Sequence, residues 1–243
     1  SIARTGMFPN ATLAVDISPE YMGVGYVIGP RLAGTMVAGG VLSWRLAAIG
    51  TVTLCGVVAE GAAGDWLALL LIDDRGIDPG AAATGYTVFA FAMAATRLAG
   101  SSLLAWRGRV TAIRLAGVAT GLGVTATILA PALSFAYLGA ALWGLGVALI
   151  FPATMSAAGD TPGRSADAIA FVAATGYGAL LIGPPLIGFL GQEIGLGVAL
   201  WVVPFMAAVV VLLAPSTAPP ADVRLTADAP PSSVPGRRDG GTA

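Results

Sequence analysis

Hydrophobic positions in this 243-residue chain run in long blocks, without the narrow stripe of an amphipathic helix or the alternation of a half-buried strand. A helix needs about 20 mostly apolar residues to cross about 30 Å of hydrocarbon at 1.5 Å per residue. Seven such runs are read, at roughly 22–43, 46–71, 81–105, 112–131, 134–157, 166–190 and 194–214. Charges and turn formers gather between them. Asp73-Asp74-Arg75-Gly76 with Asp78-Pro79-Gly80 makes one break, and Trp106-Arg107-Gly108-Arg109 another. Pro131-Ala132, Asp160-Thr161-Pro162-Gly163-Arg164 and Gly191-Gln192-Glu193 make three more, with Ser165 expected to cap the helix that follows. From Pro215 the pattern changes: six prolines, Ser, Thr and Asp predict a disordered tail over 215–243. The first 20 residues show no signal-peptide pattern.

Composition turns this pattern into a class. The chain is 56% hydrophobic and 10% charged, with a mean hydropathy of +0.85, whereas a soluble domain carries about 25% charged residues. The fold expected is therefore all-α, a polytopic transmembrane bundle whose first partner is the lipid bilayer. A net charge of −1 with no basic run removes the electrostatic basis for nucleic-acid binding. One cysteine excludes a disulfide framework, and zero histidines exclude Ser-His and Cys-His catalysis and His-ligated zinc. No enzyme activity, cofactor or metal site is expected.

All 12 basic residues are arginine, and they set an orientation. Arg107, Arg109 and Arg114, then Arg164, then Arg224, Arg237 and Arg238, fall on one side if every intervening span crosses. Arg75 falls opposite, among three aspartates. The arginine-bearing side is read as cytoplasmic, which puts the C-terminus there.

Three ionisable residues stand inside the second and third spans, where Asp or Arg at mid-helix costs about +2.5 to +3.5 kcal/mol on insertion scales. Glu60 is near the middle of its span. A carboxylate there can hold a proton while poorly solvated and release it when water arrives, because burial disfavours the charged form. It can equally serve as a hydrogen-bonding group for a neighbouring helix. Asp65 lies about 7.5 Å further along, beside Trp66, where an interfacial position competes with a place in a deeper site. Arg97 either snorkels to the cytoplasmic interface or forms an ion pair at a cytoplasmic gate. Pro152 and Gly183-Pro184-Pro185 are expected to kink their helices, and the span glycines to bring helices close. Among the aromatics, Phe89, Phe91, Tyr137, Trp143, Phe151 and Tyr177 are read mainly as packing, with a minority along a solute path.

Four segments carry a family resemblance. Ala59-Glu60-Gly61-Ala62-Ala63-Gly64-Asp65-Trp66 resembles a stretch of the seventh helix of major facilitator superfamily (MFS) permeases, in the bacterial inner-membrane branch related to sugar permeases. Arg97-Leu98-Ala99-Gly100-Ser101-Ser102-Leu103 with Arg107-Gly108-Arg109 is similar to the close of the eighth, Gly144-Leu145-Gly146 through Phe151-Pro152 to the tenth, and Gly176-Tyr177-Gly178 with Gly183-Pro184-Pro185-Leu186-Ile187-Gly188 to the eleventh. The resemblance implies that 46–214 form the C-terminal six-helix half of such a permease, working by alternating access around a midplane site. Glu60 and Asp65 are the candidates for transport or proton coupling on the burial argument above, and the resemblance adds a cytoplasmic gate of Arg97, Gly100, Arg107 and Arg109. Ser101 stands where that gate normally has an acidic residue. Residues 1–45 would add one orphan span, similar at Gly25–Gly34 to a fifth-helix Gly-Pro motif of MFS antiporters, so about seven spans are expected in a partial MFS fold. The partners implied are a small solute and either a missing N-terminal half or a second copy. A truncated or non-transporting membrane component is the alternative. The sugar-permease and antiporter motifs point to different solutes.

Overall fold

The structure is a computed structural model that describes the backbone of residues 19–220 and the side chains of 44–220. The described residues divide into two units between Trp44 and Arg45. Helix α1 runs Pro19–Asp73. The side chains of 22–43, Arg31 among them, lie outside the described residues, as do the first 18 residues and the tail arginines Arg224, Arg237 and Arg238.

Among the described residues, six helical stretches are long and apolar enough to cross a membrane: Trp44–Asp73, Pro79–Arg107, Arg109–Leu129, Leu133–Gly159, Ser165–Ile194 and Leu196–Thr217. They match the last six predicted runs. The first is the end of α1, and the next two are α2 (Pro79–Arg107) and α3 (Arg109–Leu129). The fourth divides into α4 (Leu133–Val147) and α5 (Ile150–Gly159). The fifth is α6 (Ser165–Ile194), and the last holds α7 (Leu196–Ala199) and α8 (Val202–Leu213).

Each joint has a local cause. The Asp78 carboxylate accepts from the N–H groups of Gly80 at 2.9 Å and Ala81 at 3.3 Å, with Pro79 opening α2. Between α2 and α3 the reversal is made by Gly108 alone, at φ +74°, a backbone region that a side chain rarely allows. Ser165 is the first residue of α6 and not its cap; Arg164 holds that position with no side-chain bond. The gap between α4 and α5 follows from Pro152, which has no N–H to offer the carbonyl of Ala148 one turn back. By contrast, α6 passes through Gly183-Pro184-Pro185 as one unbroken helix.

Lipid tails are as apolar as leucine, so helix association relies on close packing and hydrogen bonds. Helix α3 packs against α4 and α8, and α4 also packs on α2. At the α3–α4 contact a Cβ on Gly123 would strike the backbone of Trp143, and one on Gly139 the side chain and backbone of Thr127. Gly144 leaves the same kind of room for the backbone of Phe89 in α2. The hydroxyls of Thr53, Thr96, Thr120 and Thr127 are buried and donate to carbonyls one turn back, at 2.8–3.0 Å.

Residues 215–220, placed by composition in the disordered tail, are among those the structure describes. Ala214–Thr217 form a 3-10 turn with Thr217 fully buried, and the Arg45 guanidinium donates to the carbonyls of Ser216 at 3.0 Å and Ala218 at 2.6 Å. Those carbonyls are left over at the end of the last span, which is where a cation is favourable. Residues 221–243 lie outside the described set.

Candidate functional site

Glu60 stands 16 residues after Trp44 and 13 before Asp73, about 24 and 20 Å from the two ends of its span. Arg97 is ten residues before the end of α2, about 15 Å from it. The two side chains meet. Arg97 Nη2 lies 2.8 Å from Glu60 Oε1 and 2.9 Å from Oε2, so one guanidinium nitrogen serves both carboxylate oxygens. Neither group is sealed away: the side chains are 42% and 29% exposed.

Both residues face a cavity of about 440 Å³ that is otherwise lined by Val57, Phe151, Pro152, Gly176, Tyr177 and Leu180. Its walls therefore come from α1, α2, α5 and α6, and the ion pair is its charged element. Two backbone devices set its shape. Gly176 lacks the Cβ that would reach 2.9 Å from the Phe151 ring, so α6 comes up against α5. Gly183 lies where a Cβ would be 3.1 Å from Val58, two residues before Glu60, which brings α6 against α1. The buried indole of Trp143 donates to the carbonyl of Ala59 at 3.1 Å, tying α4 to the backbone beside Glu60. Phe89 closes on Trp143 edge to face at 5.6 Å.

Of the residues singled out from the sequence, Glu60, Arg97 and Pro152 come together here, and Gly183 shapes the wall. Pro184 packs near Gly61, where a Cβ would sit 3.7 Å from its ring. Asp65 is exposed and does not line this cavity, since five residues turn the helix by about 140°.

The residues expected at a cytoplasmic gate are dispersed. Arg97 is at the cavity, and Gly100 is buried against Leu149 of the α4–α5 joint, where a Cβ would lie 3.0 Å from Leu149 Cδ2. Arg107 lies over the Trp106 ring at 4.0 Å. Arg109 alone makes an interhelical ion pair at the helix ends, 2.6 Å from Asp160 Oδ2. It also donates to Ser156 Oγ at 2.9 Å and to the Thr217 carbonyl at 3.1 Å. Asp160, visible in the sequence only as part of a polar break, is thus a partner that spacing did not single out. Arg45, Arg109 and Asp160 gather at one end of the bundle, as the alternation of spans requires. At the other end Arg75 donates to the carbonyls of Thr127 at 2.9 Å, Ile128 at 2.7 Å and also Ala130, closing the C-terminus of α3.

Among the described residues, six membrane-length helices with a mid-depth ion pair on a cavity wall define a polytopic helical membrane protein. Comparison with known proteins places it more closely. No family model matches. The chain is 35% identical over 168 residues to an uncharacterized transporter of Sinorhizobium fredii, covering 69% of this chain and 45% of that protein. It is 35% identical over 149 residues to an uncharacterized MFS-type transporter of Yersinia pestis, covering 60% and 39%. It is 31% identical over 172 residues to the membrane protein MosC of Rhizobium meliloti, covering 70% and 41%. The chain thus spans less than half the length of these relatives. Among solved structures, a peptide transporter POT in complex with sulfate superposes with a TM-score of 0.64 at 15% identity, over 75% of this chain and 42% of that one. A mutant of a peptide transporter POT in complex with alafosfalin gives 0.62 at 16% identity, over 71% and 38%. Over its matched part the chain is thus similar to transporters, one of them of the MFS type, and it has the fold of about one half of the solved ones.

Proposed function

We propose that the chain is the C-terminal half of a secondary transporter that moves a small solute across a bacterial cytoplasmic membrane by alternating access. The observation that carries this reading is the Glu60–Arg97 pair, placed at mid-depth and open to a cavity of about 440 Å³. An ionisable pair is costly in hydrocarbon and is kept where it lines a solute or ion path. The solute binds between α1, α2, α5 and α6, and a second six-helix half, from an N-terminal portion or a second copy, completes the cavity. Glu60 couples transport to protons: when Arg97 turns to the solute, the carboxylate loses its counter-ion and takes a proton instead. The Arg109–Asp160 contact holds the helix ends together on the cytoplasmic side, where the C-terminus also lies.

Reconstitution into proteoliposomes tests this directly. Labelled hexoses and amphipathic cationic dyes are offered with and without a pH gradient. Flux of one class, accelerated by the gradient, is the expected result, and E60Q retains exchange while losing the gradient dependence. Absence of flux for both classes from folded protein, as this chain and with a second half supplied, overturns the transport reading. Gradient dependence that survives in E60Q removes the proton role alone.

A further inference from the structure

We propose that a groove between α2, α3 and α4, at the Arg107 end of the bundle, binds one anionic phospholipid, with an acyl chain along the groove and the phosphate on Arg107. The groove is a separate cavity of about 220 Å³. Its lining is aliphatic or glycine throughout, including Leu103, Leu115, Ala119, Leu142 and Leu145, with Arg107 as the one charged exception. Leu103, Leu115 and Leu145 are 39%, 53% and 45% exposed, so the groove opens outward from the bundle, toward the surroundings of a membrane helix. An apolar slot of this kind accepts a hydrocarbon chain and offers nothing to a polar solute.

The charge at its mouth selects the headgroup. Arg107 is in the last turn of α2, and its guanidinium is held over Trp106, an indole 73% exposed, as in the aromatic belts of membrane interfaces. Among the described residues no carboxylate lies within 4.0 Å of Arg107, whereas Arg109 has Asp160 and Arg164 has Asp167. Helix α3 begins two residues later and its N-terminus has no side-chain cap, so backbone N–H groups and the positive end of a 21-residue helix add to the same local field. A zwitterionic lipid would fill the slot equally well but would leave this positive charge without a net counter-charge. An anionic lipid satisfies both parts, as basic pockets between spans on the cytoplasmic side do generally.

The test is native mass spectrometry of the full chain in detergent. Phosphatidylglycerol and phosphatidylcholine of identical acyl composition are supplied, and glycerol 3-phosphate in a parallel sample. Phosphatidylglycerol is expected to be retained about fivefold over phosphatidylcholine, the ratio that one arginine near a headgroup supports. R107Q brings the two lipids to parity, and R164Q, which alters charge at the same end outside the groove, keeps the preference. A119F, and L145W at the exposed rim, lower retention of both lipids by filling the slot. Equal retention by the native chain overturns the proposal, as does a preference that survives R107Q. Equal losses in R107Q and R164Q assign the effect to diffuse surface charge and overturn it too, and glycerol 3-phosphate retained as well as the lipid does the same by assigning the site to a free phosphate. Unchanged lipid retention in both slot-filling variants likewise overturns it.

Discussion

Glu60 and Arg97 each make the other tolerable at mid-membrane. An uncompensated Arg at that depth costs roughly 2.5–3.5 kcal/mol on insertion scales, and the partial exposure of both side chains to the cavity reduces this. The pair should therefore show strong coupling. E60Q and R97Q alone are each expected to lower the thermal midpoint of the purified protein, and the double variant to recover much of the loss. Differential scanning fluorimetry measures this, and a double variant whose loss equals the sum of the singles would show the two are energetically independent. Trp143 acts one step away, through the carbonyl of Ala59. Replacing it with Phe keeps most of the ring packing and removes one buried hydrogen bond, worth about 0.5–1.5 kcal/mol. The expected outcome is a modest fall in thermal midpoint, with a larger one if the indole N–H also fixes the backbone that presents Glu60.

At the scale of helices, glycine placement decides which pairs can close. Besides the Thr127 hydroxyl, a Cβ on Gly139 would meet the α3 backbone at Thr127 and Gly123, which cannot yield as a side chain can, so Gly139→Leu is expected to separate α3 from α4 and abolish the monodisperse peak in size-exclusion chromatography. A Cβ on Gly178 would meet nothing within 4 Å, and Gly178→Ala should leave that peak unchanged. Helix ends matter in the same way. Arg75 meets three carbonyls at the close of α3. Replacing it with Gln is expected to cost about 1–2 kcal/mol, the upper part of the range for a cation at a helix C-terminus, read as a lower thermal midpoint. Pro152 interrupts its span beside the cavity, whereas Pro184 and Pro185 leave α6 intact. The same residue type thus has different consequences, because Pro152 sits at the start of a short helix and the other two deep inside a long one.

Across the bundle, the interhelical polar contacts among the described residues collect at the helix ends, apart from the Glu60–Arg97 pair and the Trp143 indole. Arg45 and Arg109 both hold the 3-10 turn that closes the last span, and Asp160 brings the end of α5 to Arg109. The opposite end carries Arg75 and the α3–α4 joint. With Cys55, the single cysteine, replaced by Ser, the orientation can be read from two introduced thiols. Ala132→Cys is expected to react with a membrane-impermeant maleimide on intact cells, and Pro162→Cys only after permeabilisation. The reverse pattern would place the arginine-rich end outside and overturn the orientation proposed for the C-terminus.

Hydropathy runs by themselves determined the class of the protein, the number of spans over 44–217 and their limits to within a few residues. The reason is that an apolar solvent requires every crossing segment to satisfy its backbone internally, which a long apolar helical run does even where a short break divides it, as between α4 and α5. Glu60, Arg97 and Pro152 were legible as unusual because charge and imino acid are rare in such runs. What they touch was not legible. The pairing of Glu60 with Arg97, across 37 positions, and of Arg109 with Asp160, across 51, depends on how far each helix turns and slides against its neighbours. That register is set by glycine contacts between α2, α3 and α4 and by the approach of α6 to α1 and α5, none of which has a signature in one linear pattern. The tertiary structure alone therefore decided that Arg97 faces a mid-depth cavity while Arg109 holds the helix ends.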